Sequence, residues 1–312
     1  MSTYNIYRAL EDLNYNYLRE MRPMRKEYVM AHRLMNLKKN FPLHMVPWVR
    51  RYMKSRKANR MSAHLCNPVA PEDFMYVSPE PVRNMKGVVY GCITNGYDLP
   101  KDPVLVDENL SYVMFTDAPW TGDGTIWETR AIDHIEVMPG SSFANRYYKF
   151  HPFELFSDFD YSIYVDGNVR IVSDVTGLYR IAHESPIGIA MHTHAEKNCA
   201  YKDALWCEYH NRGVVPAIKA QAEKYRNEGF PEEFGLCEAT IIVVDLHSDI
   251  ARDVMDVWWT EFCRAGGMRD QIAFPYVIWR LGLKMSDVGC LGNDEYHNPK
   301  FMITSHETDV LV

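Results

Sequence analysis

Several features that would assign the chain to a special class of protein are missing from its sequence. No apolar run approaches the length of a membrane span, and the first residues contain no apolar core of a signal peptide. The seven cysteines are odd in number and scattered, and none belongs to a Cys-x-x-Cys pair. This spacing argues against a disulfide framework and against a structural zinc site. We therefore expect a protein of the reducing cytoplasm.

Acidic residues are scarce at the start of the chain, although the net charge of the whole is −7. Residues 1–60 contain 14 Lys and Arg against 4 Asp and Glu, whereas residues 61–312 contain 20 against 37. This basic arm predicts contact with an anionic partner such as a membrane surface, a polyanionic glycan or nucleic acid. A solvated helical face that packs on the acidic body explains the same charges, so both interpretations stay open.

Hydrophobic patterning divides the chain into three regions. Apolar side chains of residues 1–60 recur at helical spacing, which predicts a basic helical extension. Those on the first helix face are Ile6, Leu10, Leu13, Tyr17 and Met21. Residues 61–85 are polar and rich in proline, which predicts a linker or wrapping segment. In residues 86–312 short apolar runs alternate with helical stretches, which predicts an α/β domain.

We expect this domain to contain a mainly parallel mixed sheet with helices on both faces. The apolar runs that predict strands are 87–93, 110–117, 161–165, 187–191 and 240–245. The stretches that predict helices are 142–157, 199–228, 248–265 and 270–281. Ligands of such sheets bind beyond the carboxyl ends of the strands, so the residues that follow the apolar runs are the first candidates for chemistry.

The strongest chemical signal is the turn Asp166-Gly167-Asn168, which comes directly after a predicted strand. A carboxylate and an amide oxygen two residues apart can hold a hard divalent ion by one edge and leave its other positions open for diphosphate oxygens. Such an ion offsets the charge that develops on a departing nucleoside diphosphate. A β-turn without any ligand is the alternative interpretation.

Polar residues also stand beside other predicted elements. Thr94 and Asn95 follow the first strand, and Asp117 ends the second, where its carboxylate can accept hydrogen bonds from a base or a ribose. Arg146 and Lys149 lie three residues apart on one helix face, as partners of a phosphate would. A solvated helix face is the alternative for these two cations.

Taken in order, these segments resemble glycosyltransferases of the GT-A type, which have a Rossmann-like fold. The matching segments are a strand into Thr94-Asn95, Phe115-Thr116-Asp117, Arg146-x-x-Lys149 and a strand into Asp166-Gly167-Asn168. The chain looks similar to a glycosyltransferase-like family of plants and bacteria, and more distantly to glycosyltransferase family 8, over about residues 86–305. The resemblance implies a nucleotide-sugar donor, with UDP as the expected nucleotide, and Mn²⁺ or Mg²⁺ as cofactor. Asn168 departs from the second Asp of the family motif, and as a neutral ligand it would bind the metal more weakly.

The same resemblance implies catalytic roles for three later residues. Residues 235–242 resemble the segment in which family 8 places an amide side chain beside the donor sugar, and Glu238 holds that position here. Asp270 and Gln271 are similar to the Asp-Gln pair of the family near the reacting carbon. Capping of a helix N-terminus is the alternative role for this pair.

The last matching segment is residues 296–300, which resemble the late His-to-Lys segment of family 8. The resemblance implies that His297 is the third metal ligand, beside Asp166 and Asn168, and that Lys300 contacts the diphosphate. A lone surface histidine is the alternative for His297. The other histidines that could take its place are His192, His194 and His306.

The expected function is therefore that of a metal-dependent hexosyl- or pentosyltransferase in polysaccharide biosynthesis. The acceptor is expected to be a glycan, a glycolipid or another hydroxyl compound, with peripheral contact to an anionic membrane through residues 1–60 and no nucleic acid partner. Resemblance to family 8 implies retention of the anomeric configuration, whereas Asp270 or Glu238 acting as general base would give inversion.

Three other functions are weighed against this expectation. A sugar-phosphate nucleotidyltransferase needs a Gly-rich loop after the first strand, and residues 94–98 contain a single glycine. A haloacid-type phosphatase needs a second Asp where Asn168 stands. A non-catalytic scaffold with a degenerate glycosyltransferase fold, which binds a polyanion or glycan through the basic arm, stays open as the alternative.

Overall fold

The computed structural model describes residues 10–17, 45–70, 73–118, 125–133, 141–266 and 269–304. The strands among them are β1 (Gly87–Ile93), β2 (Leu110–Thr116), β3 (Glu128–Ala131), β4 (Tyr161–Val165), β5 (Val169–Ile171), β6 (Ile189–Thr193), β7 (Cys237–Asp245), β8 (Gly289–Cys290) and β9 (Phe301–Ile303). The helices are α1 (10–17), α2 (Met45–Ser62), α3 (Ser141–Phe150), α4 (Pro152–Leu155), α5 (Leu178–His183), α6 (Ala200–His210), α7 (Val215–Asn227), α8 (Asp249–Ala265) and α9 (Asp270–Arg280). None of the described helices is long and apolar enough to cross a membrane.

Seven strands form the central sheet, in the order β3-β2-β1-β4-β7-β6-β8. The first four strands are parallel to one another, β7 is antiparallel to both β4 and β6, and β8 is parallel to β6. The prediction of an α/β domain with a mainly parallel mixed sheet is thus confirmed. Because β1, β2 and β4 run in the same direction, the residues that follow them meet at one edge of the sheet.

The sheet is covered on both faces, as predicted. Along β1, Val88 and Tyr90 belong to one apolar core, which α3, α8 and α9 close. Val89 and Ile93 point to the other face and belong to a second core, which α5 closes. A strand that is buried on both faces needs apolar residues at every position, which is why these strands appear in the sequence as continuous apolar runs.

The pairing of β6 with β7 changes register in a way that shapes the edge of the sheet. Met191 pairs with Ile242, but the next residue, His192, pairs with Glu238. The intervening residues 239–241 of β7 have no partner in the β6 ladder. On the other side of β7, the backbone N–H of Asp166 donates to the Thr240 carbonyl at 3.0 Å. Because β7 is antiparallel, its first residues lie at the edge where β4 ends, and Glu238 comes to the same edge as Asp166.

The N-terminal region is described in two helical pieces, α1 and α2. Both pieces lie largely within the predicted helical extension, while Ile6 and Met21 lie outside the described residues. The apolar side chains of Leu10, Leu13 and Tyr17 on α1 are exposed, whereas Glu11 is buried. Helix α2 extends to Ser62, two residues beyond the predicted limit of the basic extension. The division into residues 1–60, 61–85 and 86–312 stays a prediction.

Candidate active site

Asp270, the first residue of α9, is held by two cations of α3. The Lys149 ammonium lies 2.7 Å from its Oδ2 atom, and Arg146 Nε lies 3.2 Å from the same oxygen. Asp270 and Lys149 are both almost completely buried. Burial alone would raise the pKa of Asp270, but the two cations outweigh it and hold the pKa well below its usual range. Asp270 therefore stays ionised.

Tyr164 of β4 connects this ion-paired cluster to Asp166. Lys149 Nζ lies 5.0 Å from the centre of the Tyr164 ring, a cation–π contact, and the Tyr164 hydroxyl donates to Asp166 Oδ1 at 2.9 Å. Burial raises the pKa of Tyr164 well above its ordinary value, so its hydroxyl keeps the proton that it donates. Arg146 faces the same carboxylate: burial would lower its pKa, but Asp270 and Asp166 raise it.

Glu238 has a side-chain nitrogen close to each of its two oxygens. Gln271 Nε2 donates to Oε2 at 2.5 Å and also contacts the Cys237 carbonyl at 3.2 Å. His194 Nε2 lies 3.3 Å from Oε1. Burial raises the pKa of Glu238 to about 7. The three residues that the resemblance assigns to catalysis, Asp270, Gln271 and Glu238, are thus brought together at one edge of the sheet.

A second buried cluster, which sequence reasoning missed, lies beside Glu238. Asp203 of α6 has no solvent exposure, and its two oxygens contact Lys197 Nζ at 2.9 Å and Arg269 Nε at 3.2 Å. Burial would raise the pKa of Asp203, but Arg269 and Lys197 hold it far below its ordinary value. The only local signal was the position of Arg269 directly before Asp270. Like the Asp270 cluster, this one has two cations for one carboxylate.

Asp117 and the Thr94-Asn95 turn meet at the ends of β2 and β1, as predicted. The backbone N–H of Asn95 donates to both oxygens of Asp117, at 2.9 and 2.8 Å, and Asn95 has a left-handed backbone with φ of 57°. The turn at Gly167 packs close to this loop, since a Cβ atom there would lie 2.7 Å from the Ile93 side chain. The predicted nucleoside and metal residues therefore occupy adjoining loops, while their roles in binding stay predictions.

The predicted metal ligands offer donor atoms that suit a hard divalent cation. Asn168 Nδ2 donates to the Thr304 carbonyl at 3.1 Å, which leaves its amide oxygen as the ligand atom. His297 Nδ1 lies 2.7 Å from Asp294, so the proton is on Nδ1 and Nε2 is the basic nitrogen, the arrangement typical of metal-bound histidines. Among the described residues, however, no group of three His, Cys, Asp or Glu side chains is arranged to hold a metal ion.

Glu295 is a further acidic residue of this edge that sequence reasoning missed. Its side chain is buried, and its Oε2 atom has no hydrogen-bond partner. Burial raises its pKa well above the ordinary value, and the nearby charges of Glu238 and Asp166 add to the shift. No periodicity or motif singled out this residue, which lies in a short 3-10 turn, Glu295–His297.

Lys300 has different partners from those that its predicted role requires. Its ammonium contacts Glu11 Oε1 at 2.6 Å and the Asp174 carbonyl at 2.8 Å, and the side chain is buried. To contact a diphosphate, the Lys300 ammonium would have to leave these two partners. Its role in diphosphate binding stays a prediction. Of the alternative histidines, His192 is buried against Asn298 at 2.8 Å, and His306 lies outside the described residues.

Comparison with known families places most of this edge network within a glycosyltransferase-like domain. Residues 144–298 match the family model described as TOD1/MUCI70, glycosyltransferase-like domain. This match confirms the resemblance to a glycosyltransferase-like family that was inferred from the sequence. The matched segment includes Arg146, Lys149, Asp166, Glu238 and Asp270.

Solved structures with a similar arrangement of elements are glycosyltransferases. The bifunctional glycosyltransferase WbbM is 12% identical with a TM-score of 0.39, and the match covers 65% of this chain and 39% of WbbM. The S. cerevisiae mannosyltransferase Ktr4p is 10% identical with a TM-score of 0.33, covering 73% and 75% of the two chains. The galactosyltransferase LgtC, solved with donor and acceptor sugar analogues, is 10% identical with a TM-score of 0.34, covering 60% and 68%. TM-scores this low carry no inference about activity. No curated protein matches the chain.

Proposed function

We propose that this protein is a metal-dependent glycosyltransferase that moves a sugar from a nucleotide-sugar, a UDP-sugar in the first instance, to a hydroxyl group of a glycan or glycolipid. The observation that carries the proposal is one connected network at the carboxyl edge of the sheet. Within it, α3 supplies Arg146 and Lys149, β7 supplies Glu238, and α9 supplies Asp270 and Gln271. The family match supports the reaction class, and the chemistry of these side chains supports the details that follow.

The two buried clusters suit the recognition of a diphosphate. Each cluster has one more cation than carboxylate, and each includes one partly exposed guanidinium. Arg146 and Arg269 have side chains that are 25% and 29% exposed, whereas those of Lys149 and Lys197 are 1% and 3% exposed. We therefore assign the diphosphate contacts to the two arginines, whose planar forks match phosphate oxygens. The two lysines would act by fixing the carboxylates.

Asp166 and Asn168, with His297, would hold the Mn²⁺ or Mg²⁺ ion. Such an ion supplies positive charge to the departing diphosphate when it is bound. Tyr164 prepares Asp166 for this role, because its hydroxyl occupies Oδ1 and fixes the orientation of the carboxylate. The neutral amide of Asn168 predicts weaker binding than two carboxylates would give.

Asp270 and Glu238 are suited to different tasks. Asp270 is permanently ionised, so it would stabilise positive charge that develops at the anomeric carbon but would accept a proton poorly. Glu238 changes its protonation state near neutral pH. Since resemblance to family 8 favours retention, we assign Glu238 to a hydroxyl group of the donor sugar. An NMR spectrum of the first product distinguishes this from inversion, in which Glu238 would act as base for the acceptor.

The experiment that tests the function is a screen of nucleotide-sugars for binding and slow hydrolysis with Mn²⁺ or Mg²⁺. We expect one donor to be bound and cleaved in a metal-dependent manner, and Asp166→Ala to lose this activity. Asp253→Ala, which removes an exposed carboxylate of α8, is the matched control. A folded protein that binds no donor with either metal would contradict the proposal.

We infer in addition that α2 is the part of the basic arm that contacts an anionic surface, either a membrane or the acceptor glycan. Residues 45–62 include no Asp or Glu. The exposed cations of this helix are Arg50, Lys54, Arg56, Lys57 and Arg60. This exposure also suits the alternative of a non-catalytic scaffold, whose binding of a polyanion would weaken with salt and survive Asp166→Ala.

A further inference from the structure

His194, the first residue after β6, has one neutral tautomer that is set by the backbone around its ring. The side chain of His194 is 7% exposed. The backbone N–H of His194 donates to the Leu236 carbonyl at 2.9 Å. The backbone N–H of Glu196 donates to His194 Nδ1 at 3.1 Å. Since a backbone N–H can only donate, Nδ1 must be unprotonated, and the proton of the neutral ring is on Nε2.

The protonated nitrogen is the one that faces Glu238. His194 Nε2 lies 3.3 Å from Glu238 Oε1, and Gln271 Nε2 lies 2.5 Å from the other oxygen. The carboxylate therefore lies between a hydrogen-bond donor on α9 and the Nε2–H group of His194 at the end of β6.

We propose that His194 is a positioning residue, whose neutral imidazole donates from Nε2 to Glu238 and orients its carboxylate toward the transferred sugar. The proposal rests on the proposed function for the role of Glu238, and on the contacts of His194 for the tautomer. The change of register between β6 and β7 sets His192, rather than Ala195, opposite Glu238, and His194 follows that pair by two residues.

The groups around the pair keep His194 neutral and set the pKa of Glu238. Burial and, after it, the nearby charge of Lys197 lower the pKa of His194 to about 3. At Glu238, the raising effect of burial is opposed by Arg269 and Lys197 and by the Gln271 hydrogen bond, while Asp203 adds to it. Glu295 faces Glu238 from the 3-10 turn. Removal of the His194 donor would leave Oε1 unpaired and favour the protonated form of Glu238.

A first experiment needs no substrate. In protein labelled with ¹⁵N-histidine, a long-range ¹H–¹⁵N spectrum distinguishes the two neutral tautomers, and His194 is identified as the signal that disappears in His194→Gln. We expect the Nε2–H tautomer, with no titration between about pH 5 and 9. An Nδ1–H tautomer, or titration near the ordinary histidine value of about 6.5, would overturn the proposal.

A second experiment compares His194→Phe, which removes the donor, with His194→Gln, whose amide N–H can replace it. We expect His194→Phe to raise the pKa of Glu238, read from its ¹³C carboxyl shift, and to lower kcat/KM by about tenfold or more, the loss typical of one hydrogen bond to a charged group. His194→Gln should restore most of both. A purely structural histidine would give equal losses in both variants and an unchanged Glu238 titration, and that result would overturn the proposal.

Failure of the proposed function gives a different pattern. A chain that is inactive with every donor would contradict the assignment of a sugar to this site. The tautomer of His194 and the titration of Glu238 would still be measured in the same samples, and they decide the contact between the two side chains independently.

Discussion

Lys149 and Asp270 lie 121 residues apart in the chain, yet their charged groups meet at 2.7 Å in a nearly dry environment. The pair joins α3 to the first turn of α9 and fixes the carboxylate that we place at the reacting carbon. Removing one partner from a buried ion pair leaves an uncompensated charge, which costs far more than the pair contributes.

The first prediction follows from this relationship. We expect Lys149→Met to lower the free energy of unfolding by about 3 kcal/mol, measured by urea denaturation, because Asp270 keeps only Arg146 as a cationic partner. Lys219→Met is the matched control, since its pair with Glu208 is largely exposed and should contribute less than about 1 kcal/mol. Equal losses in the two variants would contradict the importance of the buried pair.

The second prediction concerns the attachment of α1. Glu11 accepts hydrogen bonds from Lys300, Ser173 and Ser78, so Glu11→Ala would leave the Lys300 ammonium buried without its counter-charge. We expect a loss of about 3–5 kcal/mol in the free energy of unfolding. Asp12→Ala, on the exposed side of the same helix, serves as control and should cost about 1 kcal/mol or less. A loss no larger for Glu11→Ala than for Asp12→Ala would show that the buried pair is unimportant.

The third prediction is a pH dependence with opposite signs for stability and activity. The folded pKa of Glu238 is about 7, above its value of about 4.5 in an unfolded chain, so the folded state binds more protons between these two values. Stability contributed by this group is therefore present below about pH 4.5 and is lost as the pH rises toward 7, whereas activity that needs the carboxylate rises over the upper part of that range.

Glu238→Gln isolates this effect. Because glutamine does not titrate, the stability of Glu238→Gln relative to the wild type should be greater at pH 8 than at pH 5. Chemical denaturation at the two pH values measures the difference. A difference that does not change with pH would mean that Glu238 titrates normally in the folded protein.

The fourth prediction tests α2 as a basic surface. Reversal of two exposed charges, Lys57→Glu with Arg60→Glu, should weaken binding to vesicles that contain anionic lipid by at least about tenfold, with a smaller effect at high salt. The control is Lys219→Glu with Arg252→Glu, which changes the net charge equally on α7 and α8. Binding that is unaffected by the α2 variant would favour the interpretation of a solvated helical face.

Much of the fold was predictable because its central strands are buried on both faces. The strands β1, β2, β4 and β7 could be predicted from their own apolar residues, without knowledge of the strands that pair with them. By contrast, β3, β5, β8 and β9 are only two to four residues long, and each includes a position that is not fully buried. They exist because neighbouring strands pair with them. The pattern of residues within such a short segment does not indicate which strand it will pair with.

The sequence predicted where the helical stretches lie, but it did not predict that two of these stretches are each divided into two helices. The stretch 142–157 breaks because Pro152 begins a separate short helix. The stretch 199–228 breaks at Asn211 and Gly213, whose φ angles are 52° and 68°, before Val215 starts α7. Both breaks had local signals in proline, glycine and asparagine.

The residues of the candidate site likewise include some whose positions were predictable from the sequence and some whose positions were not. Asp117 and Asp166 were predictable together, since the direction of parallel strands fixes where their ends lie. The contacts of Arg269 with Asp203 and of Lys300 with Glu11 join residues 66 and 289 positions apart, and nothing in the sequence near any of them indicates a partner. For Lys300, the resemblance suggested a role in diphosphate binding, while the structure gives its ammonium a different set of contacts.

The position of β7 between β4 and β6 has a consequence for the order in which the chain is made. As the protein emerges from the ribosome, β1, β2, β3 and β4 are complete long before Cys237, the first residue of β7, appears. Until then β4 and β6 each present an unpaired edge, the kind of surface that other chains can join. The strand that delivers Glu238 to the site is thus also the one that joins β4 to β6, and we expect chains truncated before it to aggregate more readily than the whole chain.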